Sequence, residues 1–151
     1  MREILFRGKR IDNGEWVEGY YVPMGEYHYI LTGRLELVPY LGFEHFFVNP
    51  DTVSQFTGLT DCNGVKIFEG DIIRWHDNAE LSVDGQAGTV CYDRYRDADS
   101  AFDDVYAIGF YLRTSGGECV TICWLDEYKN NFDIIGNIYD NPELLEVSND
   151  E

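Results

Sequence analysis

The sequence predicts a mainly β protein built around a small barrel or roll. Short apolar runs alternate with polar residues at the two-residue period of a strand. Turn signals separate these runs at nearly regular spacing, namely Asn-Gly at residues 13–14 and 63–64 and Gly-Gly at 116–117. Short strands between such turns are typical of β barrels, and no segment of helical period is long enough to compete.

An additional β region precedes the barrel. Residues 4–6 and 16–21 are predicted to form a hairpin, because the Asp12-Asn13-Gly14 turn tolerates the positive φ angles that match strand twist. Three further short runs are strand-like and are separated by proline and glycine: residues 27–31, 34–38 and 44–48.

The barrel itself begins around the second Asn-Gly turn. Gly70-Asp71 is predicted to bend the chain from residues 65–69 into residues 72–75, since glycine within a strand pattern marks a bulge or a corner. The remaining predicted strands are 88–92, 106–112, 119–124 and 132–139, with acidic loops at 76–86 and 93–104. This order is typical of an SH3-like barrel: a strand is followed by a long loop, a turn that contains glycine and a further strand.

A short helical turn is predicted after the last strand. Asn141 is a favoured N-cap, Pro142 suits the first helical position, and Glu143 follows. We therefore assign residues 1–50 to an N-terminal β region packed on the barrel, 51–147 to the SH3-like barrel, and 148–151 to a frayed tail.

Charge is the most unusual bulk property, because 28 acids against 11 bases give a formal net charge of −17. Cationic side chains supply most of the affinity for phosphate backbones, so this excess argues against direct binding of DNA or RNA. It also argues against anionic membranes, and no apolar run reaches the roughly 20 residues of a membrane span. The simplest interpretation is a solvated acidic surface, and the alternative is a partner with a basic surface.

The four cysteines predict neither disulfides nor a metal site. The first residues lack the apolar segment of a signal peptide, so we expect a cytoplasmic protein with reduced thiols. Cys119 and Cys123 are the only close pair. On one predicted strand their Cα atoms would lie about 13 Å apart, at a rise of about 3.3 Å per residue, and one zinc ion cannot bridge that distance. We predict no cofactor.

We find no catalytic constellation. His76 precedes Asp77, but neighbours on a strand point to opposite faces, so Asp77 would not orient the imidazole. His28 and His45 lie among aromatic residues, where packing is the simpler interpretation. No Gly-x-Ser-x-Gly elbow and no phosphate-binding glycine loop is present.

Aromatic residues near the predicted barrel loops are better candidates for binding. In SH3-like barrels such residues form grooves for peptides or modified side chains, and an acidic rim would suit a basic peptide. Core packing is the competing interpretation. The predicted binding residues are Trp75, His76, Tyr92, Tyr95 and Trp124.

Three ordered blocks resemble the YopX family, which consists of small proteins encoded by bacteriophages and prophages. The blocks are REILFRG at residues 2–8, VSQFTGLTD with NG and IFEGDII within residues 53–73, and IIGNIYDNPELL at residues 134–145. The resemblance implies an SH3-like barrel core, in accord with the strand pattern. It brings no catalytic or binding residues, because the family has no established activity.

These observations lead to three hypotheses from different classes. The first is a phage accessory protein without enzymatic activity that contacts a protein partner, either a basic protein or another copy of the chain. The second is an acidic mimic that occupies the groove of a DNA- or RNA-binding protein. The third is an enzyme of unknown type.

Overall fold

The computed structural model describes residues 2–33, 44–76, 85–98 and 106–145. The chain forms two compact units, unit 1 at Met1–Gly58 and unit 2 at Leu59–Glu151. The described strands form two antiparallel sheets, so the predicted mainly β fold class is confirmed. The predicted strand at residues 34–38, most of the loop at 76–86 and the tail lie outside the described residues.

Unit 1 carries four strands and most of a fifth, and β1 lies in the interior of their sheet. The strands are β1 (Phe6–Lys9), β2 (Trp16–Met24), β3 (Tyr27–Thr32), β4 (Glu44–Phe47) and β5 (Ser54–Thr60). Their order in the sheet is β4-β3-β2-β1-β5, and Phe6 lies opposite Gly19 of β2 on one side and Gln55 of β5 on the other. The predicted N-terminal hairpin is therefore confirmed.

Strand β2 changes its partner at Gly19. Residues up to Gly19 pair with β1, and residues from Tyr20 onward pair with β3. A Cβ atom added at Gly19 would lie 2.0 Å from the carbonyl oxygen of Leu31. Glycine is required here because the two backbones approach too closely for any side chain.

A single bridge joins the end of β4 to the chain just after β1. Arg10 pairs with Val48, and the N–H of Ile11 donates to the carbonyl of Phe47 at 3.0 Å. Val48 of this bridge is fully buried, as is Ile30 of β3. The bridge places residues 10–12 alongside the aromatic end of β4.

Unit 2 contains the second sheet. Its strands are β6 (Lys66–Phe68), β7 (Asp71–Trp75), β8 (Ala87–Arg96), β9 (Tyr106–Thr114), β10 (Cys119–Thr121) and β11 (Phe132–Asn137). Five of them form the order β10-β9-β8-β7-β11, while β6 follows β5 in the other sheet. Within the described ranges β10 and β11, at the two edges, do not pair with each other, so the predicted closed barrel is not confirmed.

Several strand boundaries in unit 2 differ from the prediction, two of them by more than two residues. Strand β8 continues to Arg96, so the acidic loop predicted at 93–104 begins as strand; pairing with β9 over nine positions satisfies the backbone of these polar residues. The strand predicted at 119–124 was wrong beyond Thr121, because Cys123–Glu127 form a short helix, α1. Helical geometry there brings Leu125 into the core, where it is fully buried.

The core of unit 2 joins the sheet to α1. Its buried members are Ile67, Ile73, Trp75, Val90, Leu112, Val120, Leu125 and Phe132. Full burial of each large apolar side chain contributes about 1.5–3 kcal/mol. The predicted C-terminal helical turn is present as a 3-10 helix at Pro142–Leu145. In the described part of the chain no helix is long and apolar enough to cross a membrane.

The predicted Gly70-Asp71 corner connects β6 to β7. Gly70 has a φ of +86°, and its N–H donates to the carbonyl of Val90 at 2.8 Å. The Asp71 carboxylate is buried and accepts a 2.8 Å hydrogen bond from the N–H of Phe68. The carboxylate therefore caps a buried backbone donor at the turn.

We expect Asp71→Ala to lower the free energy of unfolding by about 1–3 kcal/mol, because a buried donor would lose its acceptor. Urea denaturation followed by circular dichroism measures the change. Asp71→Asn keeps a carbonyl oxygen of the same reach, so its loss should be smaller. Equal stability of Asp71→Ala and the unaltered protein would show that this hydrogen bond contributes nothing.

Candidate functional site

The five predicted binding residues all lie in unit 2, but they do not form one surface. Trp75 is only 3% exposed and packs edge-to-face against Phe132 and Trp124, with ring centroids 5.5 and 6.4 Å away. Trp124 is half-buried against the same core. These two tryptophans are placed where the packing interpretation puts them.

His76 has an acidic neighbour that the sequence did not indicate. Its Nε2 lies 3.4 Å from the Asp133 carboxylate of β11, and its backbone N–H donates to Asn131. The antiparallel pairing of β7 with β11 brings the two side chains together. Both side chains of the pair are partly exposed. The sequence could not predict this pair, because it depends on which strands are neighbours in the sheet.

Tyr92 and Tyr95 point to opposite faces of β8, since they lie three residues apart on a strand. Tyr92 is exposed and packs edge-on against Phe110 at 4.9 Å. Tyr95 stacks on Tyr111 with ring centroids 4.7 Å apart. Burial raises the pKa of the Tyr95 hydroxyl, while a hydrogen bond with Thr121 acts in the opposite direction.

The Tyr95 face also carries a thiol. Burial raises the pKa of the Cys91 thiol, and this effect is larger than the lowering by the nearby Arg113 guanidinium. The thiol is therefore protonated at neutral pH. Arg113 donates to the Tyr111 hydroxyl at 3.1 Å. Among the residues that the structure describes, no three His, Cys, Asp or Glu side chains are arranged to hold a metal ion.

Unit 1 carries a hollow that sequence reasoning missed, and we name it the aromatic groove. It encloses about 590 Å³ and is lined by Arg10, Ile11, Asp12, Tyr27, His45, Phe46 and Phe47. Three of its large apolar side chains are well exposed, namely Ile11 at 67%, Tyr27 at 61% and Phe47 at 44%.

Strand pairing positions the walls of the groove. Phe47 lies opposite Tyr29 on β3, with ring centroids 4.7 Å apart, and Tyr27 meets Phe47 edge-on at 6.1 Å. The hydrogen bond from Ile11 to the Phe47 carbonyl holds the opposite wall. The run His45-Phe46-Phe47 offered a signal, because consecutive aromatics on a strand alternate faces and cannot all be buried on one side.

Arg10 forms one end of the groove in a fixed orientation. Its guanidinium lies 4.4 Å from the Phe46 ring centroid, and its Nε donates to Asp12 at 2.9 Å. A second N–H donates to the other carboxylate oxygen. These hydrogen bonds raise the pKa of Arg10 and lower that of Asp12.

We expect the Asp12 carboxyl to titrate below the ordinary aspartate range in an NMR pH titration. Its folded-state pKa is depressed, so the stabilisation is present above the unfolded pKa and is lost as pH falls through the folded value. Arg10→Gln should return the midpoint toward the ordinary range. An unchanged midpoint in that variant would assign the depression to another group.

The sequence of this chain matches that of a known protein family. The sequence profile described as YopX protein matches residues 5–146, which include most of both units. The chain belongs to the YopX family. The resemblance inferred from the three sequence blocks is thereby confirmed.

A solved structure shares the fold of this YopX-family chain. It is the crystal structure of protein EF1440 from Enterococcus faecalis, with a TM-score of 0.53 and 23% sequence identity. The match covers 97% of this chain and 100% of that one. At this identity the likeness shows the fold alone. The search of curated proteins found no match.

Charge is distributed unequally along the YopX-family chain. Residues 1–58 hold 8 acids and 5 bases, whereas residues 59–151 hold 20 acids and 6 bases. Unit 1, which carries the aromatic groove, therefore has a formal net charge of −3, and unit 2 carries the remaining −14.

Proposed function

We propose that this YopX-family protein is a non-enzymatic module that binds another protein through the aromatic groove of unit 1. The supporting observation is the exposure of Ile11, Tyr27 and Phe47 side by side around one hollow. Contiguous exposed apolar side chains on a folded domain mark interaction sites. Tyr, Phe and Arg are also the residue types enriched at protein interfaces.

The shape of the groove favours a protein over a small molecule. A small ligand needs a pocket that buries about 70–90% of its surface. The three main apolar residues of the groove each keep more than 40% of their surface exposed, so the hollow is shallow. A protein partner gains the missing burial from contacts beyond the hollow.

We further propose that the protein is a phage or prophage accessory factor that acts in the bacterial cytoplasm. The family resemblance supports the origin. The four cysteines, all free in the structure, agree with a reducing compartment.

We also propose that unit 2 is a partly open SH3-like barrel. After β8, the N–H of Ala98 donates to the carbonyl of Cys119 in β10 at 2.8 Å. The stacking of Tyr95 on Tyr111, whose strand partner is Cys91, likewise requires the β8–β9 ribbon to curl. A curled ribbon whose end meets a third strand is the geometry of a small barrel.

Site-specific photocrosslinking tests the proposed binding function. Benzoylphenylalanine at position 27 in bacterial cells should yield a crosslinked protein, identified by mass spectrometry. Position 20 is the matched control, because Tyr20 belongs to unit 1, is 42% exposed and does not line the groove. Equal crosslinking at both positions, or none at position 27, would refute binding at the groove.

The acidity of unit 2 supports a second candidate function, the nucleic-acid mimic. An excess of 20 acids over 6 bases would attract the basic groove of a DNA- or RNA-binding protein. In a gel-shift competition the protein should then displace nucleic acid from a host enzyme, and displacement should weaken steeply with salt. Failure against every host nucleic-acid enzyme tested would remove this candidate.

A further inference from the structure

We infer that the occupant of the aromatic groove is an extended protein segment that carries a large apolar side chain next to an acidic one. The inference rests on the proposed binding function and specifies its partner. It differs from the basic partner that the net charge of the whole chain suggests.

The groove has a polar neighbour. A second hollow of about 490 Å³ is lined by Lys9, Arg10, Ile11, Gly14, Asn49, Pro50 and Thr52. Arg10 and Ile11 line both hollows and form the ridge between them. A segment lying across this ridge would place one side chain among Tyr27 and Phe47 and a neighbouring one beside Lys9.

The aromatic groove and the second hollow together carry more bases than acids, whereas the whole chain carries more acids than bases. Lys9 and Arg10 line the two hollows, and Asp12 is the only acid among the lining residues that the structure describes. In the whole sequence acids outnumber bases by 28 to 11. Glu15 is not among the lining residues of either hollow. Its negative charge helps to raise the pKa of the Arg10 guanidinium.

Arg10 keeps donor capacity toward a ligand. A guanidinium has five N–H groups, and two of them donate to Asp12. In the described ranges the others donate to no further side chain. Stacking on Phe46 and pairing with Asp12 fix the plane, so a carboxylate on the ridge would meet a pre-oriented donor.

Unit 1 repels an acidic segment far less than the net charge of the whole chain suggests. Residues 1–58 carry 8 acids and 5 bases, so long-range repulsion from the unit itself is weak. The apolar side chain supplies burial, and the carboxylate supplies orientation and selectivity.

A displayed library of random eight-residue peptides tests the inference directly. Selection uses the full chain, with Phe47→Ser as the depletion bait, and Tyr27→Ser serves as a second bait in case Phe47→Ser is misfolded by circular dichroism. We expect enriched peptides to carry a large apolar residue within three positions of Asp or Glu. Enrichment of Lys and Arg, or no peptide that depends on the groove, would overturn the inference.

Affinity measurements on the best synthetic peptide complete the test. Replacing its acid with the matching amide should weaken binding about tenfold, as fluorescence anisotropy measures. That difference should shrink in Arg10→Gln and Lys9→Gln and persist in Tyr20→Ser. An amide peptide that binds equally well overturns the inference. Crosslinking at position 27 without any selected peptide would leave the binding function standing and refute only this partner class.

Discussion

Gly19→Ala is expected to destabilise unit 1 by about 3 kcal/mol or more, which is at the upper end of the cost of overpacking. The new Cβ would lie 2.0 Å from the Leu31 carbonyl oxygen and 3.0 Å from the Ile30 side chain. A backbone atom cannot rotate away as the end of a side chain can, so β2 and β3 must separate. Because domains are marginally stable, this loss should raise hydrogen exchange throughout residues 2–33.

Gly14→Ala is the matched control for this prediction. Gly14 has a φ of +72°, but no atom lies within 4 Å of the position that a Cβ would take there. Its substitution should cost only the left-handed backbone penalty, about 1 kcal/mol. Hydrogen exchange with mass spectrometry resolves both variants by region. If Gly19→Ala exchanges no faster than Gly14→Ala, the close approach of β2 and β3 is wrong.

Phe132→Ala is expected to lower the free energy of unfolding of unit 2 by about 3–5 kcal/mol. Phe132 is almost fully buried, lies opposite Trp75 in the β7–β11 pairing and contacts its ring edge-on at 5.5 Å. Removing the phenyl group loses its transfer free energy and leaves a cavity beside a tryptophan. Urea denaturation monitored by circular dichroism measures the stability, and tryptophan fluorescence reports on Trp75 together with Trp16 and Trp124.

Two variants calibrate the Phe132 result. Phe132→Leu removes less volume, so its loss should be well below that of the alanine variant. Ile108→Ala changes a side chain that is 77% exposed on β9, and its effect should stay within about 0.5 kcal/mol. A Phe132→Ala loss as small as that of Ile108→Ala would contradict the described core.

Turn chemistry explains why the strand positions could be predicted from the sequence. Glycines at positive φ occupy both predicted Asn-Gly turns, Gly14 at +72° and Gly64 at +80°, and the predicted corner at Gly70. A local backbone requirement of this kind is visible in the sequence because few residues satisfy it. The alternation of apolar residues then places β6 between Gly64 and Gly70, and β7 directly after Gly70.

The two larger errors in strand length have a different origin. The polar character of Asp93 and Arg96 predicts a loop, yet both residues pair with β9 in a long ribbon. Ile122 to Trp124 looks like a strand because it is apolar, yet α1 begins at Cys123 and buries Leu125. In both places tertiary pairing or packing overrides the local pattern, and one sequence does not contain that information.

The candidate site could be predicted least. Tyr27, Phe47 and Ile11 come from three separate segments, which the β3–β4 pairing and the Arg10–Val48 bridge bring together. Trp75 and Trp124 were predicted as binding residues only because they are aromatic, and aromatic residues occur in a core as well as in a groove. An aromatic side chain reveals its role only when the pairing of the strands around it is known.

The position of β1 between β2 and β5 has a consequence for the order in which the chain folds. On the ribosome, residues 6 and 7 cannot gain their second neighbour until residues 54 and 55 have been synthesised and have left the exit tunnel. The nascent β1–β2 hairpin therefore spends that interval as a ribbon with one open edge. Slow synthesis through this stretch would expose an aggregation-prone edge, whereas a rapid passage would close it.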